Sequence, residues 1–313
     1  MTAAELADRC RPGGPWRLLL PGVVLLHPGP PTGEERLHGA LLYAARGAAP
    51  GVPAQPAAPD AHGPVYAEAM ITGLAALALH GVGATPPPVS LNRVDVLVPR
   101  LRRLRPAGYV RLVRVPVLPA AHAVAGVPVA PVPRALADAV ARLADAQAVR
   151  RLLTEAVRGG HCEPAAVVRE LAGAKLLGRA HVAGAVDSLL AEGRAVAEDR
   201  LYRMVRACGL PDPVWNVDLR LPGGPRLGGL DAYWPEHAVA VALDFRAPRR
   251  DGDARWPERA RTRERLERLG ITVVHLAPEG LGNAMEQQAT VVRTALMASA
   301  GRGPAARVVV LPR

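Results

Sequence analysis

The sequence is poor in aromatic side chains, which make up 3% of its 313 residues. Its cores must therefore be assembled from leucine, valine and alanine. Cysteine is scarce as well: Cys10, Cys162 and Cys208 stand far apart, and no CxxC pair occurs. That spacing argues against a zinc knuckle or a disulfide framework, and reduced thiols in a cytoplasmic protein are the expectation. Lysine is nearly missing, Lys175 being the only one. No apolar run reaches the roughly 18–20 residues of a membrane span. The run Leu18–Leu26 is broken by Pro21 and Gly22, with no cationic leader before it and no cleavage site after it, so no signal peptide is expected. Walker loops, G-x-S-x-G elbows and HExxH pairs are absent, which argues against P-loop nucleotide binding, serine-hydrolase chemistry and zinc-peptidase chemistry.

What is present is apolar and basic. Half of the residues are hydrophobic, enough for a folded chain, and the length suits about two domains. The formal net charge is +11, carried almost wholly by arginine. Such a surplus favours polyanions, either nucleic acid or an acidic membrane surface. A compositional origin is the other reading, because abundant Ala, Gly, Pro and Arg also follow from a GC-rich coding sequence.

Turn and capping signals divide the chain. Residues 2–10 read as a short helix with Thr2 and Glu5 as a capping box. Trp16–Leu26 read as two short strands around Pro21-Gly22, and 32–46 as a helix capped by Thr32 and Glu35. Residues 47–65 are aperiodic Pro, Ala and Gly. An Ala-rich helix is predicted over Tyr66–His80, with His80 favoured at its end by the helix dipole. Strands are predicted at 93–98 and 109–115, and helices at 133–157, 163–173, 179–193 and 198–208. Strands are expected again at 214–221, 228–234, 238–245 and 271–276, an arginine-rich helix near 255–269 and a closing helix at 284–298. The strands at 228–234 and 238–245 should pair antiparallel, with 271–276 in the same sheet.

Several stretches taken in order resemble one known family. These are Leu20-Pro-Gly-Val-Val, Ala69-Met-Ile-Thr-Gly-Leu-Ala-Ala-Leu-Ala-Leu-His-Gly and Val132-Pro-Arg-Ala-Leu-Ala-Asp in the front half. In the back half they are Glu198 ahead of Gly209-Leu-Pro, Leu230-Asp-Ala-Tyr-Trp-Pro and Val239-Ala-Val-Ala-Leu-Asp. Together they resemble bacterial proteins with an AbiEi-antitoxin-like, winged-helix-type front followed by a domain similar to very-short-patch-repair endonucleases, of the PD-(D/E)xK class. The resemblance implies an α+β or α/β architecture in five parts: a winged-helix-like segment (1–46), a loop (47–65), an α/β and helical linker region (66–195), a three-layer restriction-endonuclease-like domain with a mixed sheet (196–300), and a tail (301–313). In the first part only Arg-Pro-Gly-Gly-Pro lies between Cys10 and Trp16, so the recognition helix expected of a helix-turn-helix is reduced or missing.

The resemblance also nominates a site. Glu198, Asp231 and Asp244 match acids that in such nucleases bind Mg²⁺, with Asp231 and Asp244 as the metal ligands. Relatives carry a further Glu two residues before the second-strand Asp, where this chain has Ala242, and follow that Asp with Gly and His, where it has Phe245, Arg246 and Ala247. Ala242 is expected to face the acids and leave a gap among them. An alternative register reads Asp244-Phe245-Arg246 as the D-x-K element with Arg for Lys; arginine cannot serve as a base. Structural roles compete at two of the acids, a helix start for Glu198 and a turn or strand end for Asp231, whereas Asp244 ends an apolar run and must be solvated or paired. Arg100, Arg102, Arg103, Arg105, Arg111 and Arg114 have only Asp95 nearby, so they read as a phosphate-binding patch or as a solvated hairpin. Acids interleave the arginines of 255–268, as on an ion-paired helix face. The expectation is a DNA-associated regulator or antitoxin-like protein with a degenerate nuclease-like domain and a possible toxin partner. The alternatives are a Mg²⁺-dependent endonuclease and a protein-interaction module.

Overall fold

The computed structural model describes residues 3–46, 66, 68–244, 256–299 and 308–313. The Thr2 cap, the stretch 47–65, Asp253, Arg255 and the Phe245-Arg246-Ala247 segment lie outside the described residues, as do the side chains of 256–260. The fold is a mixed α+β one in two compact units. The first comprises residues 1–162 and 166–189, the second 163–165 and 190–313. No helix among the described residues is long and apolar enough to cross a membrane.

The first unit opens with helix α1 (Ala3–Arg9), the two-stranded ribbon β1 (Arg17–Leu20) and β2 (Val23–Leu25), and α2 (Gly33–Ala45). Thr32 and Glu35 form the reciprocal capping box expected for α2. Residues 10–16 hold no helix, so α1 is followed directly by the ribbon. The chain continues through β3 (Met70–Thr72), α3 (Gly73–Leu79), β4 (Val94–Pro99), β5 (Val110–Val115), β6 (His122–Val124) and β7 (Val127–Val129). These strands make one mixed sheet, ordered β5-β4-β3-β7-β6. Helices α4 (Val132–Val140), α5 (Ala146–Arg158), α6 (Pro164–Gly173) and the long α7 (Ala180–Ala207) follow.

Three features differ from the sequence expectation. Met70, Ile71 and Thr72 are a strand rather than helix, because all three are buried between β4 and β7. Gly73 then turns the chain into α3 at φ +63°, a conformation that needs glycine. Second, β4 and β5 are parallel, not a hairpin. A six-residue strand spans about 20 Å, so residues 100–109 must run back along the whole strand as a taut connection. Third, 133–157 is broken at residues 141–145, where Asp145 caps α5 through the amides of Gln147 and Ala148. Conversely, 179–193 and 198–208 fuse into the 28-residue α7. Gly193, at the expected end of the first of these helices, lies inside it, and a Cβ there would meet Pro164 Cγ at 2.2 Å.

The second unit takes α7 from Leu190 onward, then β8 (Val214–Arg220), β9 (Arg226–Trp234), β10 (Val239–Leu243), α8 (Trp256–Arg268), β11 (Thr272–Leu276), α9 (Pro278–Asn283), α10 (Met285–Ser299) and β12 (Val309–Pro312). Its sheet is ordered β11-β10-β9-β8-β12, with β10–β11 parallel and the other pairs antiparallel. The pairing expected for 228–234, 238–245 and 271–276 is therefore present. Residues 309–312, expected within a tail, add an edge strand. Helices cover both faces. Ala197, Leu201 and Met204 of α7 and Val292 and Leu296 of α10 pack on Ala232, Trp234, Val239, Val241 and Val274. Leu266 of α8 packs with Val217, Leu219, Tyr233 and Ala240 on the other side. On α8, Arg263–Glu267 and Arg268–Glu264 pair at 2.6 and 2.5 Å, as an ion-paired face requires.

Candidate functional site

The acids of the second unit are placed by a local irregularity in its sheet. Trp215 and Ala232 are cross-strand partners and pack with the α7-side cluster. Val217 and Leu230, two residues along each strand, pack with the α8-side cluster. Regular alternation would keep residues two apart on one face, so the alternation of both strands is interrupted at the same point while their pairing register continues. Asn216 there has φ +48°, and Asp231 lies between Leu230 and Ala232. The Asp231 carboxylate is buried and accepts a hydrogen bond from the Leu243 backbone N–H at 2.7 Å. The β9–β10 register runs only from Trp234 to Ala232. Asp231 thus supplies an acceptor where the ladder ends.

The other Asp231 oxygen accepts from Arg194 Nη2 at 2.5 Å, and Arg194 Nε donates to Glu198 Oε1 at 2.7 Å. Arg194 and Glu198 are one turn apart on α7. Glu198 therefore sits well inside a helix, not near its start, because α7 continues through Gly193. Asp244 follows β10, bonds through its N–H to Leu276 O at 2.9 Å, and lines a cavity of about 20 Å³ with Glu163, Leu190, Pro278 and Glu279.

Two of the three nominated acids are thus brought together, and they share a guanidinium. Among the described residues no group of three or more His, Cys, Asp or Glu is placed to hold a metal ion. A divalent cation needs its carboxylate oxygens close around it. Here the positive charge between Glu198 and Asp231 belongs to Arg194, which stays protonated at every accessible pH. The residues present do not fit the Mg²⁺ site that the resemblance implied. Ala242 also departs from expectation. It packs with the α8-side cluster, whereas Arg194 and Glu198 come from α7, so it leaves no gap beside them. Arg194 was missed in the sequence because 194 fell between two expected helices; its signal was the i, i+4 spacing to Glu198.

The six arginines of the first unit divide by their partners. Arg111 forks onto the buried Asp95, its cross-strand neighbour, with Nη2 at 2.6 Å from Oδ2. Arg102 donates through Nε (3.2 Å) and Nη2 (2.9 Å) to Ala44 O near the end of α2, a position favoured for cations. Arg114 donates to Leu104 O at 2.5 Å. Arg102 and Arg114 hold the taut connection in place, helped by Tyr43 Oη donating to Arg105 O at 2.7 Å, while Arg111 ties β5 to β4. Arg100, Arg103 and Arg105 are exposed, and their side chains make no hydrogen bond or ion pair with the described residues. The patch expected from the sequence is thus half scaffold and half available charge.

The two apolar motifs of the front half meet at a second polar cluster. Thr72 Oγ1 donates to Asp138 Oδ2 at 2.7 Å, and Arg134 forks onto the same carboxylate at 3.1 and 2.5 Å. Thr72 and Asp138 are both buried, so this cluster joins β3 to α4.

His80 ends α3 and donates through Nε2 to Ala130 O at 2.9 Å. Burial holds its pKa below the ordinary value of 6.5, and nearby His122 and His161 press it the same way. The helix-end reading placed it correctly but not its charge: burial outweighs the dipole of a seven-residue helix. A histidine depressed in the folded state costs nothing when both states are neutral. As pH falls through 6.5 the unfolded chain protonates first, so stability declines towards the lower folded value. The melting temperature of the first unit is expected to fall between pH 7.5 and 5.5, and His80→Gln should flatten that slope. An identical slope in the variant would remove His80 from the explanation. Comparison of the chain with protein-family models, with curated proteins and with solved structures gave no match.

Proposed function

We propose that this chain is a DNA-associated, regulator-like or antitoxin-like protein of the bacterial cytoplasm that binds the phosphate backbone and does not cut it. Its first unit acts as the binding part, with the β1–β2 ribbon in the role of a wing and with Arg100, Arg103 and Arg105 as phosphate contacts. Its second unit is read as a restriction-endonuclease-like, PD-(D/E)xK-type domain that has lost its metal chemistry. The observation carrying this reading is the trio of exposed arginines on a connection that other arginines pin down. Pre-positioned cations lose little on binding, and each phosphate contact releases counterions. The reduced region between α1 and β1 offers no helix for the major groove, so the contacts favour backbone over base edges. A toxin or other protein partner is the remaining element of the antitoxin-like reading.

The reading predicts that two labelled duplexes of unrelated sequence bind alike at low salt and are released together as salt rises. Non-specific complexes of this kind have dissociation constants of about 10⁻⁴–10⁻⁶ M at physiological salt. Millimolar Mg²⁺ should leave both duplexes intact. Absence of retardation at low salt would refute the DNA-binding reading and favour a protein-interaction module. Robust Mg²⁺-dependent cutting that Asp244→Asn abolishes would establish the endonuclease alternative instead.

A further inference from the structure

We propose that Leu101 is a wedge that enters the minor groove of duplex DNA and parts two stacked base pairs, with Arg100, Arg103 and Arg105 on the flanking phosphates. Leu101 is 90% exposed, more than any other large apolar side chain among the described residues. It stands in a tight turn at the end of β4, where Arg102 N–H donates to Pro99 O at 3.0 Å. Central turn positions of this kind are commonly filled by Gly, Asn, Asp or Ser, and a leucine so exposed adds nothing to the core. Val117, 82% exposed, leaves β5 at the same end of the parallel pair, two residues past Val115, the partner of Pro99.

The turn is tied down on several sides. Arg100 N–H donates to Val115 O at 2.8 Å, Arg102 reaches Ala44 O, and Arg114 donates to Leu104 O. An apolar group held in this way loses little freedom on binding. The surroundings select a polyanion: from Arg93 to Ala120 the only acid is Asp95, and Arg111 already occupies it. They also select its kind. An anionic bilayer is bound through a broad apolar face, whereas a turn offering one leucine among arginines suits the gap of a single base step. Apolar side chains of this sort unstack a step from the minor groove, and arginine is favoured in that groove. The wedge reads no base edge, so it leaves the sequence-independence of the backbone contacts in place. The inference rests on the DNA-binding reading and adds to it the groove entered and the deformation imposed.

The test uses the full chain and short duplexes of one sequence, fully paired or with a single mismatch. Each carries a fluorescent purine analogue whose emission rises on unstacking. The natural protein is expected to brighten the analogue and to bind the mismatched duplex roughly tenfold tighter, because a mismatch lowers the cost of opening the step. Leu101→Ala should lose both effects, while Leu101→Met, which keeps a long apolar side chain, should retain them. The melting temperature and the salt slope of Leu101→Ala should match those of the natural protein, since the slope counts phosphate contacts. Duplex binding without brightening or mismatch preference overturns the wedge and leaves the DNA-binding reading standing, as does an unchanged response in Leu101→Ala. No binding to any duplex overturns both. Binding to vesicles of phosphatidylcholine and phosphatidylserine that Leu101→Ala abolishes, with no brightening of the duplex, overturns the wedge in favour of a membrane surface.

Discussion

Asp231→Ala is expected to destabilise the second unit by about 3 kcal/mol, the scale set by breaking a buried ion pair. The substitution removes two interactions at once. Leu243 N–H loses its acceptor in a buried setting, and an unsatisfied donor of that kind costs about 1–3 kcal/mol. Arg194 loses its 2.5 Å contact with Asp231 and keeps the one with Glu198. Asp231→Asn keeps an oxygen for Leu243 and gives up only the charge, so it should cost less than alanine. The order natural protein, Asn, Ala should appear in denaturant midpoints followed by tryptophan fluorescence, since Trp234 lies buried on the same strand. An alanine variant within half a kcal/mol of the natural protein would contradict the role given to Asp231, by the ordinary spread of surface substitutions of about ±0.5 kcal/mol.

Arg111→Ala should have an effect of similar size on the first unit. Asp95 is 7% exposed and stands on β4, which has a neighbour strand on each side. Its carboxylate is matched by the Arg111 fork from the adjacent strand. Truncating the arginine leaves a buried carboxylate without its partner, at a cost of about 3–5 kcal/mol. Lysine restores the charge but not the fork, so Arg111→Lys should recover only part of it. Arg100→Ala, Arg103→Ala and Arg105→Ala should each stay within about 0.5 kcal/mol, because those side chains make no hydrogen bond or ion pair with the described residues. Melting curves of the four alanine variants therefore separate scaffold from available charge. Equal melting temperatures for Arg111→Ala and Arg103→Ala would contradict the division.

Local signals in this chain were legible and long-range ones were not. The capping box of Thr32 and Glu35, the turn at Pro235–His237 and the antiparallel pairing of the strands on either side of that turn follow from spacing within a few residues. The direction of β5 does not. A ten-residue gap suits a hairpin loop or a taut parallel return equally, and only burial on both faces of β4 decides. Met70–Thr72 read as helix because Ala follows on both sides of Gly73, while tertiary burial made it a strand. Glu198, Asp231 and Asp244 were found as residues, yet their chemistry was not. Two events hide it: the interrupted alternation at Asn216 and Asp231, and a continuous α7 that delivers Arg194. Neither leaves a periodic trace. The arginine patch was half legible for a related reason, since composition counts charges without saying which already have acceptors.

The salt dependence of duplex binding tests the proposed role most directly. Log K for a short labelled duplex is measured against log salt for the natural protein and for the combined variant Arg100→Glu, Arg103→Glu, Arg105→Glu. Each phosphate contact contributes about 0.9 to the slope. The variant is therefore expected to bind more weakly to every sequence alike, with a slope shallower by about two to three and an unchanged melting temperature. A variant with the natural affinity and the natural slope would contradict the assignment of these three arginines to the DNA backbone.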